Sequence, residues 1–501
     1  MKPSTAFALA LVCFAPAAAM LTPQAAIAQG EGGVGLNPTQ TREFVRQYNL
    51  SAGTVNAVAS RLRLPAGSSR TTILNALGRE LAKASELRTQ LTQAEAVIRE
   101  LRDETVREPG LALLRDAQAA FARGDIDQAR TKLVELQGIR WGESEQGTSA
   151  WLDATLMVSR ASVLRGRSDE GKAALGSARA SARASAVLVD WRLGLEDADI
   201  DIRQAWRTAD VALLDSAIAQ ILNDVQLLAP RTTHPVQWAR TQIVLADARL
   251  ALGGWQNSVV PIDQAVAGYV DALPLIDAVD PTLAARSRFH LCSARTQVGR
   301  AYRQIESLLQ ALDECGIAAG MYAALSDRAG QVRASGQSSS IYWAMYKISH
   351  DEGDLAAARS SANDNIRNIR GVLGDADLAN AYNNAGGISL QYYEDLNVFT
   401  ELDVAERHFR EAIRLLNRDD DPIFWANIKT NLGSALGMRA RRSQDVDTYL
   451  EAFECLQEAL LAMPRERQPD EWVDIERRLL FVKWELEARG IQPPQIRRNA
   501  F

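Results

Sequence analysis

The chain has 501 residues, 47% of them hydrophobic, with 56 Lys and Arg against 62 Asp and Glu and a formal net charge of −6. That balance excludes the dense basic field on which nucleic-acid binding depends. The length exceeds what one hydrophobic core usually fills and suits a stack of repeats.

Residues 1–28 read as a secretory signal. Lys2 supplies the n-region charge, Ala6 to Met20 is apolar or small, and Ala26-Ile27-Ala28 stands before Gln29 as a small-x-small cleavage site. A retained anchor fits less well, because Pro16 and Pro23 interrupt the run. Leu11 and Val12 are too bulky for a lipoprotein signal at Cys13. The excess of Arg over Lys suggests a GC-rich bacterial genome. A periplasmic or secreted protein of a Gram-negative bacterium is expected, with no later segment apolar for long enough to span a membrane.

Residues 29–40 carry Gly30, Gly32, Gly33, Gly35 and Pro38 and read as a flexible linker. Residues 41–108 form an N-terminal helical region. Within it Leu74, Leu77, Leu81, Ala84, Leu87, Leu91, Ala94, Ile98 and Leu101 make a heptad seam with one stutter. Two readings stand: a dimerising coiled coil over 72–107, or a long amphipathic helix packed on the first repeats. The second is favoured, since self-supporting coiled coils need more unbroken heptads. Pro109-Gly110 is expected to end that helix.

Residues 109–234 read as degenerate repeats. Ala120 to Ala129 is a helix, a turn at Gly124 and a second helix; Ser159 to Gly166, followed by Gly171 and Leu175, repeats it. From 235 to 490 the repetition is plain. Pro235-Val-Gln-Trp238, Pro422-Ile-Phe-Trp425 and Pro469-Asp-Glu-Trp472 are one motif, each Trp followed seven residues on by Leu245, Leu432 or Leu479. The last two copies lie 47 residues apart. Units are expected to open at Pro235, Pro281, Tyr342, Asp375 and Pro422, with a capping helix from Pro469 and a tail at 491–501. Strand-like alternation is absent, so the expected fold is all-α.

These residues resemble the tetratricopeptide repeat (TPR) family. Leu432 and Gly433 fall on a helix A; Ala452, Leu456, Ala459 and then Pro464 fall on its helix B. Ala385, Gly386, Ala405, Phe409 and Ala412 lie 47 residues earlier. In both units seven more residues separate that Gly from the helix-B Ala than a 34-residue repeat allows. Leu291, Cys292, Leu308 and Ala311, and then Tyr342, Gly353 and Ala358, fit units without that extension. The resemblance implies an α-solenoid of antiparallel helix pairs. Small residues let helices A and B approach, and large ones fill the gaps between them. In this register Cys292 faces a point ~10 Å short of Cys315, so both are expected as free thiols. Charged Asp474, Glu476, Arg477 and Glu485 suggest a polar outer face on the last helix.

Motifs for chemistry are weak. Gly166 to Ala173 approaches a P-loop, but Ala173 stands where Mg²⁺ needs Ser or Thr, and a turn is the better reading. His234, His290, His350 and His408 are scattered, without the spacing of a metal site. The acidic runs Glu196-Asp197-Ala198-Asp199 and Asp419 to Asp421 read as a solvated helix face and a loop. The regular placement of Trp238, Trp425 and Trp472 suggests packing between units rather than ligand stacking.

The resemblance implies that helix A lines a binding groove. Asn384 and Asn431 precede the small pair on helix A, where TPR proteins use Asn to clamp a peptide backbone. Asn383 and Lys429 are their neighbours. A structural role, bonding the adjacent helix, is weighed equally. The expected function is a protein- or peptide-binding scaffold or adaptor in the cell envelope, not an enzyme, with no cofactor and no metal. The alternatives are a subunit of an envelope enzyme, or a homo-oligomer assembled through 72–107.

Overall fold

A computed structural model of the chain describes residues 36, 38–62, 70–141, 145–181, 186–208, 210–416, 418, 422–463, 465, 469–493 and 495. The expected signal, the three aspartates at 419–421 and most of the linker and tail lie outside them. The fold is all-α: every regular element among the described residues is helical. The described chain forms two compact bodies, one built on Thr72–Leu291 with the helices before it, the other on Cys292–Phe501.

The first body opens with α1 (Pro38–Tyr48), α2 (Ala52–Arg61) and the long α3 (Arg70–Glu100). The seam from Leu77 to Ile98 is buried in the same core as Leu114 and Met157. It is therefore occupied within the chain. The side chain of Leu74 lies outside the described residues. The helix breaks at Arg102-Asp103, not at Pro109: Asp103 caps α4 (Glu104–Ala122) by accepting from the Thr105 N–H at 3.0 Å, and Pro109 lies inside α4. The pairs α4 with α5 (Ile126–Gln137) and α6 (Glu145–Leu164) with α7 (Ser168–Arg179) follow. Next come α8 (Val187–Thr208) and α9 (Val211–Gln220). The latter passes through a π-helical turn, Ile221–Val225, into the short α10 (Gln226–Leu228). Then α11 (Pro235–Gln256) pairs with α12 (Val259–Ile276).

Two corrections belong here. Val211–Leu228 and Val259–Ile276 are long and apolar enough to cross a membrane by length and composition. The apolar content of α12 has a packing reason: Ile262, Ala265, Tyr269, Leu273 and Ile276 are buried. The run Glu196 to Asp199 is not a solvated face. Arg160 on α6 donates from Nε to Glu196 Oε1 at 2.8 Å and from Nη2 to Oε2 at 2.6 Å, with Glu86 of α3 at 3.2 Å from Nη1. Arg203 pairs with Asp199. Despite burial, the neighbouring Arg160 charge lowers Glu196 to about 2, while burial pushes Asp199 up.

In sequence the chain continues through α13 (Pro281–Tyr302), α14 (Ile305–Ala324), α15 (Arg328–Gly336), α16 (Ser338–Ser349) and α17 (Glu352–Ile369). Then come α18 (Asp375–Leu396), α19 (Thr400–Arg414), α20 (Pro422–Ser443), α21 (Val446–Ala462) and α22 (Pro469–Ala488). The repeat is more regular than its sequence. Helices A begin at Pro235, Pro281, Arg328, Asp375, Pro422 and Pro469, each 46 or 47 residues after the last. The third opens at Arg328 rather than Tyr342. Its helix is broken at Gln337, which separates α15 from α16 and hides the period. The A helices close on residues with positive φ: Asn257, Arg303, His350, Asn397 and Gln444, at 49° to 58°. Arg303 and Gln444 rarely take that conformation, and Gly, its usual occupant, holds only the last of these corners, Gly490.

Each pair is locked at one level. A Cβ on Gly433 would stand 2.7 Å from Leu456 Cγ, and one on Gly386 would stand 2.6 Å from Phe409 Cε1. The same 23-residue separation holds Cys292 and Cys315, which form a disulfide with Cα atoms 5.4 Å apart. This overturns the expectation of free thiols. The A helix α13 is 22 residues long, so the turn comes at Arg303-Gln304, about one helical turn later than a 34-residue repeat would place it. Cys455 alone is free among the described cysteines, and it is buried.

Candidate functional site

In the C-terminal body α16, α18 and α20 each touch the next A helix, α18, α20 and α22. Their contacts are polar and close. Gly387 of α18 lies against the Trp343 ring, where a Cβ would come within 2.5 Å. The Trp343 Nε1–H donates to Gln391 Oε1 at 3.3 Å, and Gln391 Nε2 donates to Asp395 Oδ2 at 2.7 Å. Tyr346 also donates its hydroxyl to Asp395 Oδ2, at 2.8 Å. Burial and that carboxylate push the Tyr346 hydroxyl well above its usual range. Lys347 Nζ sits 3.8 Å over the Trp343 ring. Burial and Asp395 raise the Glu394 carboxyl, against the opposing pull of Arg478 and Lys347.

The four residues singled out from the sequence divide. Asn431 Nδ2 donates to Asn383 Oδ1 at 3.0 Å, so these two amides join α20 to α18. Asn384 is buried, and its Oδ1 has no hydrogen-bond partner. Lys429 is turned away: its Nζ is 2.6 Å from Glu458 Oε2 on α21 and 5.2 Å over the Trp425 ring.

The Trp motif extends further upstream than its Pro. Arg231 lies 4.8 Å over Trp238, Arg418 5.7 Å over Trp425 and Arg465 4.7 Å over Trp472, each Arg seven residues before its Trp. Guanidinium groups occupy faces that a ligand would need. Gly166, at φ 76°, is the turn between α6 and α7, and Lys172 is 2.7 Å from Asp201. Among the described residues no cluster of His, Cys, Asp or Glu has the arrangement of a metal site.

The end of the stack departs from expectation. The outer face of α22 carries an apolar stripe among its charges: Val473, Leu480, Phe481 and Trp484 are exposed, Trp484 by 60%, around the exposed Arg477. They fall on one side of the helix at spacings of seven, one and three, and the Phe481 and Trp484 rings are 6.1 Å apart. The charged residues that suggested a polar cap are partly engaged, Asp474 with Arg478 and Glu485 with Arg489. Sequence reasoning missed this stripe. Its signal was the apolar Leu480-Phe481 following the buried Leu479.

The fold is an all-α repeat of helix pairs with a period of 46 or 47 residues. No protein-family model matches the chain, and no curated protein matches it. Similar solved structures include a signal-transduction ATPase with a tetratricopeptide repeat sensor from Pyrococcus horikoshii. It shares 12% identity over 92% of this chain and 74% of that one, with a TM-score of 0.38. Another is a Rap protein complexed with competence and sporulation factor, at 11% identity over 81% and 99%, TM-score 0.35. BtubC from P. vanneervenii shares 16% identity over 64% and 97%, TM-score 0.31.

Proposed function

We propose that this protein is a non-catalytic scaffold that binds a protein partner in the bacterial cell envelope. The observation that carries the reading is the exposed stripe of α22. Trp and Phe are enriched in protein interfaces over the rest of the surface, and here both are exposed with their rings 6.1 Å apart. The Cys292–Cys315 disulfide supports an oxidising compartment, in keeping with the signal-like residues 1–28.

Affinity capture from cross-linked envelope tests the reading, using the tagged full chain and its Phe481→Ser/Trp484→Ser variant. The expected result is a partner retained by the wild-type chain and lost by the variant, with equal melting temperatures. Equal capture by both removes α22 as the contact. Capture of nothing but the chain itself replaces the scaffold with a homo-oligomer. Location is tested by osmotic shock: the released chain should begin at Gln29, and a chain beginning at Met1 in the cytosolic fraction refutes export.

A further inference from the structure

Away from the A-helix ladder, three helices of the C-terminal body enclose a cleft of about 330 Å³. Arg359 and Asn363 enter it from one turn of α17, Ser389 from α18, and Glu401, Val404 and His408 from one face of α19. Its polar wall is lopsided. Glu401 is buried, with 8% of its surface exposed; Oε1 accepts from Arg359 Nη1 at 2.9 Å, but Oε2 has no protein partner. The His408 ring is hydrogen-bonded to the Ala385 backbone, so its donating nitrogen is in use, while buried Nδ1 has no partner. Burial, reinforced by Arg407, lowers the His408 pKa and so favours the neutral ring. In the neutral ring that donates through its other nitrogen, Nδ1 is an acceptor. Glu401 and His408, each with one buried acceptor atom that has no protein partner, thus line one cleft from one face of α19, and buried acceptors demand donors. Across from them Arg359, half exposed and stacked 4.4 Å over the Tyr392 ring, has N–H groups beyond the one given to Glu401.

We propose that this cleft binds a primary ammonium group with an oxygen beside it, the chemistry shared by a free α-amino acid and the N-terminal residue of a peptide. The ammonium donates to Glu401 Oε2 and His408 Nδ1, and the adjacent carboxylate or carbonyl oxygen accepts from Arg359. The volume suits a small side chain, at the lower end of ligand pockets. The site is separate from the α22 stripe and does not depend on the scaffold reading.

Calorimetric titration of the full chain with L-alanine, L-alanine amide and N-acetyl-L-alanine tests it. Saturable binding of one or both free amines, with none of the acetylated compound, is expected. Tighter binding of L-alanine assigns the site to free amino acids, and equal or tighter binding of the amide to peptide N-termini. Glu401→Gln should weaken the preferred amine at least tenfold. Val404→Phe, filling the cleft from a half-buried position, should abolish binding. Absence of binding by either amine, equal binding of the acetylated compound, or unchanged affinity in folded Glu401→Gln overturns the proposal. The comparison of amine with acetylated compound decides on wild-type protein alone.

Discussion

Gly433 offers the sharpest test of how the repeats are held. An added Cβ would lie 2.7 Å from Leu456 Cγ, 3.1 Å from its Cδ2 and 3.2 Å from the Ala452 carbonyl oxygen. Carbon atoms rest at about 3.5–4.0 Å, so α20 and α21 must part by about 1 Å or Leu456 must leave its rotamer. Such overpacking costs about 1–3 kcal/mol. Gly433→Ala recovers about 1 kcal/mol through helix propensity, leaving a net loss of about 0–2 kcal/mol. Gly433→Leu places three further carbons in the same space and should cost about 3 kcal/mol or more. Buried Cys455, beside Leu456, provides a local readout, since its labelling by a thiol reagent requires the helix pair to open. Labelling should accelerate at least tenfold in Gly433→Leu, with helical dichroism retained at low temperature. Leu456→Ala alone leaves a cavity worth about 2–5 kcal/mol, yet should regain at least about 1 kcal/mol in the Gly433→Leu background. Unchanged labelling, or strict additivity of the two substitutions, refutes the interlock.

Denaturation without reductant should leave Cys292 and Cys315 protected and Cys455 reactive; Cys292→Ser/Cys315→Ser should cost about 3 kcal/mol in a urea titration, from closure of a loop of this length. Acid should expose the buried cluster around Arg160. Glu196, lowered to about 2 from 4.5, contributes stability that is full above its unfolded value and lost as pH falls towards 2. Asp199, raised, opposes it. Glu196→Gln should therefore flatten the acid limb of a melting-temperature profile and cost about 3 kcal/mol at neutral pH, because buried Arg160 keeps only the half-exposed Glu86 as a charge partner. Asn431→Ala should lower stability by about 0.5–1.5 kcal/mol through loss of its bond to Asn383, measured by chemical denaturation. An unchanged midpoint shows that this pair is a surface contact.

What was legible in the sequence was whatever carried a local chemical reason. Pro235, Pro281, Pro422 and Pro469 mark helix starts because Pro is pre-organised for the first turn. The start at Arg328 has no such mark. The Gly386 and Gly433 interlocks were visible because only the smallest residue fits there. The disulfide was misread although Cys292 and Cys315 have the same separation as Gly433 and Leu456; geometry borrowed from shorter helices put the turn too early. Glu196 was taken for a surface acid because Arg160 stands 36 residues upstream, and no local pattern reveals such a partner. The cleft on α19 gathers its polar groups from three helices, so no sequence window contains it.

The corners after the A helices have a consequence for how this chain can change its length. Asn257, Arg303, His350, Asn397, Gln444 and Gly490 differ chemically but share one left-handed conformation at steps of 46 or 47 residues. The surrounding pair, rather than the residue, imposes it. Removing a single residue inside a helix turns everything beyond it by about 100°, which takes each interlocking side chain off its partner. Removing the span from one corner to the next leaves every surviving helix in phase. Length in this molecule is thus a discrete quantity: it tolerates whole periods and resists increments of one.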